Sequence, residues 1–318
     1  MHTLQPAFEV IDESSVRRRL TVKPGMCGYN SLFVGQIGDW TWETVTALCG
    51  TDVFNARNEC GLPTYLAFYY FHVRASTSLH LHSFSFGDQI SVSSRLFNFG
   101  SESILALHQI EREGTDGSAP RPVDPTEFYE CPRDDRLYVE NFNRWITRSE
   151  QQSNRGLMRS SPAGFRHSHL PVLPEMYSPR RAYQSARLRG QLHDPGKPGY
   201  RLLAEDFRVD YPLDITRDIN GVGLVYFAAY FSMIDWAFLR LWRHLGRSDR
   251  SFLQRIVTDQ RVCYLGNADL DSVMCIRMNA WQHITDPSLE VVGVVIEDRD
   301  THQTIAVSAL DVKVGCSR

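Results

Sequence analysis

The feature that most constrains this 318-residue chain is a polar, glycine-broken turn that leads directly into an apolar helical run. The turn is Asp214-Ile-Thr-Arg-Asp-Ile-Asn-Gly-Val-Gly, and the apolar sequence runs from Leu224 to Ile234 with Ser232 as its one polar residue. A helix that is apolar on every side is expected to be buried. Asp235, together with a run shorter than about 18 residues, argues against a membrane span. We therefore expect a buried helix over this run, with free N–H groups at its amino end.

A second, weaker copy of this pattern lies earlier in the chain. It reads Gly25-Met-Cys-Gly-Tyr-Asn-Ser-Leu-Phe-Val-Gly-Gln-Ile-Gly-Asp-Trp and continues through Trp42, Val45 and Leu48. Both copies place Gly and Asn before the apolar run and end it with an Asp-Trp pair. Each is followed by an acidic turn and two strand-like segments, at 86–95 and 101–110 after the first copy and at 268–277 and 288–296 after the second. Repetition at this spacing predicts two tandem units.

A long helix followed by sheet segments, present twice, resembles the hotdog fold. The predicted fold class is therefore α+β, a double hotdog of two tandem units, each with a long central helix wrapped by an antiparallel sheet. The predicted boundaries are 1–143 for the N-terminal unit, 144–201 for a connecting segment and 202–318 for the C-terminal unit.

The predicted connecting segment is rich in proline and in basic residues. The segment from Arg144 to Arg201 contains eleven Arg or Lys and three acids, so its formal charge is +8. Because the whole chain has a formal charge of −3, the rest of the chain carries −11. Two interpretations remain open, a solvated linker or a docking surface for an anionic partner. Phosphates of coenzyme A or an acidic carrier protein would suit such a surface.

Several familiar chemistries lack their motifs. The chain has no Gly-x-Ser-x-Gly and no His-Glu-x-x-His. Its seven scattered cysteines form no Cys-x-x-Cys pair, and His80 and His82, two apart beside a predicted strand, are more typical of a surface than of a metal site, so we expect no metal. The chain lacks the interleaved aromatic and basic residues typical of nucleic-acid binding, so we expect no nucleic-acid partner. Because no basic-then-apolar leader is evident, a cytoplasmic location without membrane attachment is expected.

One segment has an unusual density of aromatic residues, from Gly61 to Val73. As a strand, its side chains alternate between two faces. The alternation assigns Thr64, Leu66, Phe68, Tyr70 and His72 to one face, and Tyr65, Ala67, Tyr69, Phe71 and Val73 to the other.

This aromatic segment, the glycine-rich run from Gly25 to Trp42 and the run Phe97-Asn-Phe-Gly-Ser-Glu-Ser together resemble the leinamycin-pathway bifunctional acyltransferase/decarboxylase family. The resemblance extends over nearly the whole chain. It implies a double hotdog that converts methylmalonyl-CoA to a propionyl group on the phosphopantetheine thiol of an acyl carrier protein in polyketide biosynthesis. It implies no bound cofactor, since the coenzyme A thioester is substrate and the phosphopantetheine is acceptor.

The resemblance also implies that a tyrosine is the acylated residue. The local motif assigns this role to Tyr65, with Tyr69 and Tyr70 close in sequence. The expected oxyanion and substrate-binding residues are Asn30, Ser31, Thr64, Asn220, Gly221 and Gly223, most of them at the two predicted helix amino ends. Two mechanisms remain open. Either Tyr65, activated by an unidentified base or a local positive field, is acylated by the thioester, or Tyr65 orients the substrate while the carrier thiol attacks directly.

Two other functions stay open on the sequence. A hotdog acyl-thioesterase could use Asp214 and Asp218 as general bases, although both residues are also typical of turns and helix caps. A noncatalytic acyl-thioester binding protein is the third possibility. Since Tyr65 has no counterpart in the second unit, we expect one active site per chain, in a monomer or a homodimer.

Overall fold

The computed structural model describes residues 8–28, 32–114, 121–149, 153–154, 156–193 and 198–315. The helices are α1 (Leu32–Cys49), α2 (Pro125–Tyr129), α3 (Arg180–Arg189), α4 (Ile215–Asp218), α5 (Ala229–His244) and α6 (Asp249–Leu253). The strands are β1 (Glu9–Asp12), β2 (Ser15–Thr21), β3 (Tyr65–Arg74), β4 (Gln89–Asn98), β5 (Ser103–Arg112), β6 (Leu137–Arg148), β7 (Leu157–Arg159), β8 (Tyr200–Pro212), β9 (Ile256–Tyr264), β10 (Val273–His283), β11 (Leu289–Asp298) and β12 (Thr304–Lys313).

The strands form one antiparallel sheet with an internal repeat. Its order is β1-β2-β4-β5-β6-β3-β9-β12-β11-β10-β8, with β7 added to β6. The five strands β2-β4-β5-β6-β3 and the five strands β8-β10-β11-β12-β9 follow the same relative order, each set around its own long helix. The two sets meet where β3 pairs with β9. The predicted double hotdog is confirmed.

The two long helices share one apolar core. Side chains of α1, such as Ile37 and Trp40, and of α5, such as Ile234 and Trp242, belong to a single cluster with the helix-facing side chains of both strand sets. The two apolar runs are therefore buried against the sheet, as the sequence predicts. Among the described residues, no helix combines the length and apolarity needed to cross a lipid bilayer.

The second helix begins later than its apolar run predicts. α5 starts at Ala229, five residues after Leu224. The N–H groups of Val222 and Leu224 donate to the side-chain oxygen of Asn220, at 3.1 and 3.0 Å, and the N–H of Tyr226 donates to the carbonyl of Asp218 at 2.8 Å. These hydrogen bonds hold the segment before Ala229 in a closed turn, so the expectation of a helix from Leu224 is wrong.

The connecting segment packs on the outer face of the sheet. Tyr177 and, from α3, Ala182, Tyr183 and Ala186 join a second apolar cluster with outward-facing residues of β5, β6 and β9. Strand β6 continues to Arg148, past the predicted boundary at 144, and β8 begins at Tyr200. The segment therefore covers both sets of strands.

Strand β3 contains a β-bulge that changes which side chains share a face. The register with β6 shifts between Phe68 and Tyr70. Phe68 and Phe71 both face the helices, whereas Tyr69 and Tyr70 both belong to the outer cluster. The strict alternation expected from the sequence is therefore wrong beyond Phe68, because a bulge inserts one extra residue into the pleat.

A charged cluster joins β3 to β9 below this bulge. His72 of β3 hydrogen-bonds through Nε2 to the Asp259 carboxylate of β9 at 2.7 Å, and its Nδ1 lies 3.7 Å from the Glu140 carboxylate of β6. Burial alone would lower the pKa of His72, but the Asp259 and Glu140 carboxylates more than offset it and raise the pKa to about 9. His72 is therefore charged in the folded protein at neutral pH.

This cluster predicts a pH-dependent loss of stability. The raised pKa means that the contribution of His72 is fully present below its unfolded pKa of about 6.5 and is lost as pH rises through about 9. Between pH 6.5 and pH 9, the free energy of unfolding of the wild type should fall, and this fall should be about 2 kcal/mol larger than that of His72→Gln. Urea unfolding across this range measures the difference. His169→Gln, at an exposed histidine outside the cluster, should follow the wild type, and equal slopes for all three proteins would contradict the assignment.

Candidate functional site

A cavity lies where β3 and β9 separate. Their pairing runs from Tyr70 opposite Cys263 to Arg74 opposite Asp259. Residues 65–69 of β3 therefore lack a β9 partner, and a cavity of about 450 Å³ opens beside them. This volume is typical of small-molecule pockets, which occupy roughly 300–1,000 Å³. Its walls come from both units, since α1 and β3 face the turn before α5 and the segment after β9.

The cavity wall is mostly apolar, with a few polar groups. The polar side chains that line it are Asp39, Tyr65, Tyr69, Asn154, Asn220, Tyr226, Tyr230, Tyr264, Asn267 and Gln303. Within the described part of the chain, the lining contains no Ser, Thr, Cys, His, Lys or Arg. An acyl group held here thus meets phenols, amides and one carboxyl, but none of the usual nucleophiles.

Tyr65 lines this cavity at the first position of β3. The turn before it is fixed by a hydrogen bond of 2.8 Å from the Thr147 hydroxyl to the Pro63 carbonyl, and Tyr65 itself pairs with Ile146 of β6. The side chain is half-buried, and its hydroxyl makes no hydrogen bond to any described residue. Tyr65 therefore combines a fixed backbone position in the cavity wall with a hydroxyl that has no hydrogen-bond partner among the described residues.

Asn220 and Gly221 line the opposite wall, in the turn before α5. The Asn220 side-chain oxygen accepts the N–H groups of Val222 and Leu224 and so organises the turn. Its amide nitrogen and the N–H of Gly221 make no hydrogen bond to the described residues. These two donors are thus available to an oxygen in the cavity, although the helix itself starts later than expected.

Three other side chains hold this turn. The Asn154 amide donates to the carbonyls of Gly223 and Ala268, at 2.8 and 2.9 Å. Asn267 accepts the N–H of Val225 at 3.1 Å, and Arg148 donates to the Val222 carbonyl. Gly223, expected to contact substrate, instead supports the turn, because its φ of +76° favours glycine and its N–H donates to the Asn220 carbonyl at 2.9 Å.

The remaining expected site residues are placed differently. Thr64 is buried, with 2% of its surface exposed, and does not line the cavity. Asn30 and Ser31 lie outside the described residues. Tyr70 is buried in the outer cluster, where burial and then the Glu140 carboxylate raise its pKa well above the usual value. Tyr69 lines the cavity, but its ring packs outward, 4.7 Å from the Arg144 guanidinium.

Two cavity residues were missed by the sequence reasoning. Asp39 of α1 is half-buried, and burial followed by the nearby Glu43 carboxylate raises its pKa to about 6. Tyr226, from the turn before α5, has its pKa raised by burial and then by Asp39. The signal for Asp39 was present, because the Asp-Trp pair recurs in both motif copies, but the pattern does not reveal that its carboxyl faces a cavity.

Two glycines of α1 allow the turn before α5 to pack closely against this helix. A Cβ at Gly35 would lie 2.8 Å from the Tyr226 hydroxyl, and one at Gly38 would lie 2.7 Å from Cε1 of Phe227. Real Cβ atoms do not approach other atoms so closely. The glycines of the first motif copy therefore let the turn before α5 approach α1.

Asp214 and Asp218, the acids of the thioesterase hypothesis, act as local structural residues. Asp214 caps α4 by accepting the Thr216 N–H at 3.0 Å. Asp218 is fully buried and accepts the Tyr211 hydroxyl and the Asp214 N–H, both at 2.9 Å. Neither residue lines the cavity. Asp214 and Asp218 thus occupy the turn and helix-cap positions that the sequence offered as the alternative to a catalytic role.

The equivalent cleft of the other repeat is nearly closed. Asp235, which ends the second motif copy as Asp39 ends the first, lines a cavity of about 30 Å³ together with His80 and His82. Its carboxylate is paired with the buried Arg255 at 2.6 Å. The two histidines lie in the loop after β3, half-buried rather than on a strand face. About one water molecule would fit here, so this cleft has no room for an acyl chain.

The sheet order, the paired long helices and the inter-unit cavity define a double-hotdog protein with one open cleft. The chain belongs to the family described as the LnmK N-terminal hot dog fold domain, whose model matches residues 17–195. The match covers the N-terminal unit from residue 17 onward and most of the connecting segment. The leinamycin-pathway family identified from the sequence is thereby confirmed.

Solved structures support the fold over the whole chain. An acyl-ACP thioesterase from Bacteroides thetaiotaomicron is similar with a TM-score of 0.56 and 8% identity, covering 95% of this chain and 100% of that one. A protein described as an oleoyl thioesterase from Lactobacillus plantarum gives 0.58 and 9%, covering 96% and 99%. The 12:0-ACP thioesterase from Umbellularia californica gives 0.53 and 8%, covering 95% and 94%. No curated protein matches the chain.

Proposed function

We propose that this protein is a bifunctional acyltransferase/decarboxylase. It converts methylmalonyl-CoA to a propionyl group on the phosphopantetheine thiol of an acyl carrier protein in polyketide biosynthesis. The observation that carries the proposal is the cavity wall, in which Tyr65 presents an unpaired phenol while the described lining contains no serine, cysteine or histidine. Membership of the LnmK family supports an enzyme that processes acyl-CoA, and this wall suits the tyrosine-dependent member of that class.

Among the tyrosines of the cavity, Tyr65 suits the reaction best. The Tyr264 hydroxyl donates to the Phe227 carbonyl at 3.1 Å, and Tyr230 is 1% exposed. Tyr226 lies against Gly35, and the Tyr69 ring packs outward. Tyr65, Tyr69 and Tyr226 all combine partial exposure with a hydroxyl that has no partner among the described residues, and the local family motif around Pro63 and Thr64 selects Tyr65 among them.

The opposite wall supplies donors for the charge that develops on decarboxylation. Loss of carbon dioxide from a malonyl thioester leaves an enolate, whose oxygen becomes negative. The Asn220 amide and the Gly221 N–H are donors in this wall that have no partner among the described residues. Each such donor contributes roughly 10²- to 10³-fold to the rate in comparable sites. Apolar neighbours such as Trp42 and Phe227 weaken the solvation of the substrate carboxylate and favour its departure.

The role of Tyr65 takes one of two forms. As a nucleophile it forms an aryl ester, which stays activated because its phenolate leaving group has a parent pKa of about 10 against about 8.5 for a thiol. As a positioning group it donates its hydroxyl hydrogen to the substrate while the carrier thiol attacks directly. A transient propionyl adduct on Tyr65, located by peptide mapping after rapid quenching, distinguishes the first form.

The same cavity would also serve a thioesterase, through a different residue from those expected. Asp39 supplies a carboxyl in the cavity that could activate water as a general base. The two functions differ in the fate of the acyl group. Intact-mass spectrometry of a phosphopantetheinylated carrier, incubated with protein and methylmalonyl-CoA, should show a propionyl increment. An unloaded carrier with accumulating free acid would establish the hydrolase and overturn the proposal.

The connecting segment provides a surface for the carrier. Helix α3 presents the exposed cations Arg181, Arg187 and Arg189. It lies beside the cavity, because the ring of its Tyr183 is 5.9 Å from that of Tyr69, which lines the cavity. We infer that an acidic carrier protein docks on α3, guided by charge complementarity.

Charge reversal on α3 tests this docking. The triple variant Arg181→Glu, Arg187→Glu and Arg189→Glu should raise the KM for the carrier about tenfold or more, because opposing charges no longer steer the encounter. The KM for methylmalonyl-CoA should change by less than about twofold, because the altered side chains do not line the cavity. Arg250→Glu, at an exposed arginine of α6, is the matched control. An unchanged carrier KM in the triple variant would place the docking surface elsewhere.

A further inference from the structure

Asp39 is the single carboxyl among the described residues that line the cavity. We propose that Asp39 is the proton donor that completes the decarboxylation, delivering its proton to C2 of the thioester enolate. The inference rests on the proposed function and adds to it a catalytic residue and a stereochemical outcome. Tyr65 and the Asn220 wall account for binding and charge stabilisation but leave this proton without a source.

The position of Asp39 on α1 directs its side chain into the cavity. Trp42, three residues further on, lines the same cavity, so this face of the helix forms the wall. The Asp39 carboxyl makes no hydrogen bond to any described residue and is half-buried. A structural carboxylate would normally be capped or paired, as Asp218 is. Asp39 has a carboxyl held beside the reaction space without such a partner.

The charged groups around Asp39 favour its protonated form. Glu43 lies one helical turn further on, and the Arg18 guanidinium pairs with Glu43 at 3.3 Å rather than with Asp39. The facing group from the other unit is the phenol of Tyr226, which is neutral at physiological pH because its own pKa is raised. Burial and Glu43 together raise the pKa of Asp39 to about 6. A substrate carboxylate bound nearby acts in the same direction, since two negative charges repel.

The proposed step balances in atoms and charge. The bond between C2 and the substrate carboxylate breaks, carbon dioxide leaves, and the electron pair passes into the thioester enolate. Asp39 then transfers its proton to C2, which forms the new C–H bond and regenerates the thioester carbonyl. The resulting Asp39 carboxylate takes a proton from water at the cavity mouth, where Phe54 is 66% exposed. One proton is consumed for each carbon dioxide released.

Because a fixed donor meets one face of the enolate, the new C–H bond should have a single configuration. Turnover of methylmalonyl-CoA in D₂O by the wild type should give a propionyl product with one deuterium at C2 in one configuration. In Asp39→Asn, water replaces the carboxyl as donor, so both configurations should appear. The rate of carbon dioxide release should fall about 10²-fold where protonation limits turnover. Loss of configuration supports the proposal at either rate.

Glu43→Gln is the matched control, one turn along the same helix. Its carboxylate pairs with Arg18 and is not part of the cavity wall. Removing its charge lowers the pKa of Asp39 and so can change the rate, but Asp39 still meets the same face of the enolate, so deuteration by this variant should keep one configuration. If Asp39→Asn gives product with the wild-type configuration, Asp39 is not the donor, whether or not the rate falls. If the wild type releases no carbon dioxide, the proposed function fails and this inference fails with it.

Discussion

Tyr65→Phe should reduce propionyl loading of the carrier by at least about 100-fold. The substitution removes one oxygen from the cavity wall, and both proposed roles of Tyr65 need that oxygen. The hydroxyl makes no hydrogen bond to the described residues, so the free energy of unfolding should change by less than about 0.5 kcal/mol. Measured together, carrier loading and urea unfolding separate a loss of chemistry from a loss of fold.

Tyr69→Phe is the matched control for this variant. Tyr69 lies on the same strand and lines the same cavity, but its ring packs in the outer cluster against Phe142 and Tyr183. Its loading rate should stay within about threefold of the wild type, because removing a phenol oxygen from an outward-facing ring leaves the reaction space unchanged. Equal loading by wild type and Tyr65→Phe, or a larger loss in Tyr69→Phe, would show that Tyr65 is not the functional phenol.

Gly38→Val should lower the free energy of unfolding by about 3 kcal/mol. A Cβ at this position would overlap the Phe227 ring, which cannot retreat freely because it packs closely on Phe68, at 4.0 Å between ring centroids. Overpacking of this kind typically costs about 1–3 kcal/mol, which exceeds the gain in helix propensity over glycine. The measurement is equilibrium urea unfolding. Displacement of Phe227 should also narrow the cavity and reduce carrier loading.

Gly221→Ala is the control for steric crowding at the cavity. Gly221 lines the same cavity, yet a Cβ there would meet no atom within 4 Å. Its stability should remain within about 0.5 kcal/mol of the wild type. If Gly38→Val were as stable as Gly221→Ala, the close approach between α1 and the turn before α5 would not be a feature of the folded protein.

The tandem fold could be predicted from the sequence because its signals are local and repeated. The glycine-rich turn, the apolar run and the two following strand segments each depend on a short window, and the second copy makes chance less plausible. The assignment of Tyr65 depended on the family motif around Pro63 and Thr64. The structure places Tyr65 in the cavity, and its catalytic role remains a prediction.

The features that sequence reasoning missed depend on contacts between distant segments. α5 begins at Ala229 because Asn220 and Asp218 hold the preceding turn closed, and helix propensity contains no information about those hydrogen bonds. The cavity exists because residues 65–69 of β3, which precede Tyr70, do not pair with β9. This pairing is a property of the sheet as a whole. Asp39 is therefore recognised as a cavity residue only after the two units are assembled.

The central claim is tested most directly by following both carbon fragments in a single turnover. Methylmalonyl-CoA labelled in its free carboxyl is mixed with excess protein and phosphopantetheinylated carrier, and labelled carbon dioxide, acylated carrier and free acid are quantified together. The account predicts one carbon dioxide for each propionyl-carrier, with the label absent from the carrier and free acid negligible. Label retained on the carrier, or free acid formed in place of acylated carrier, would contradict it.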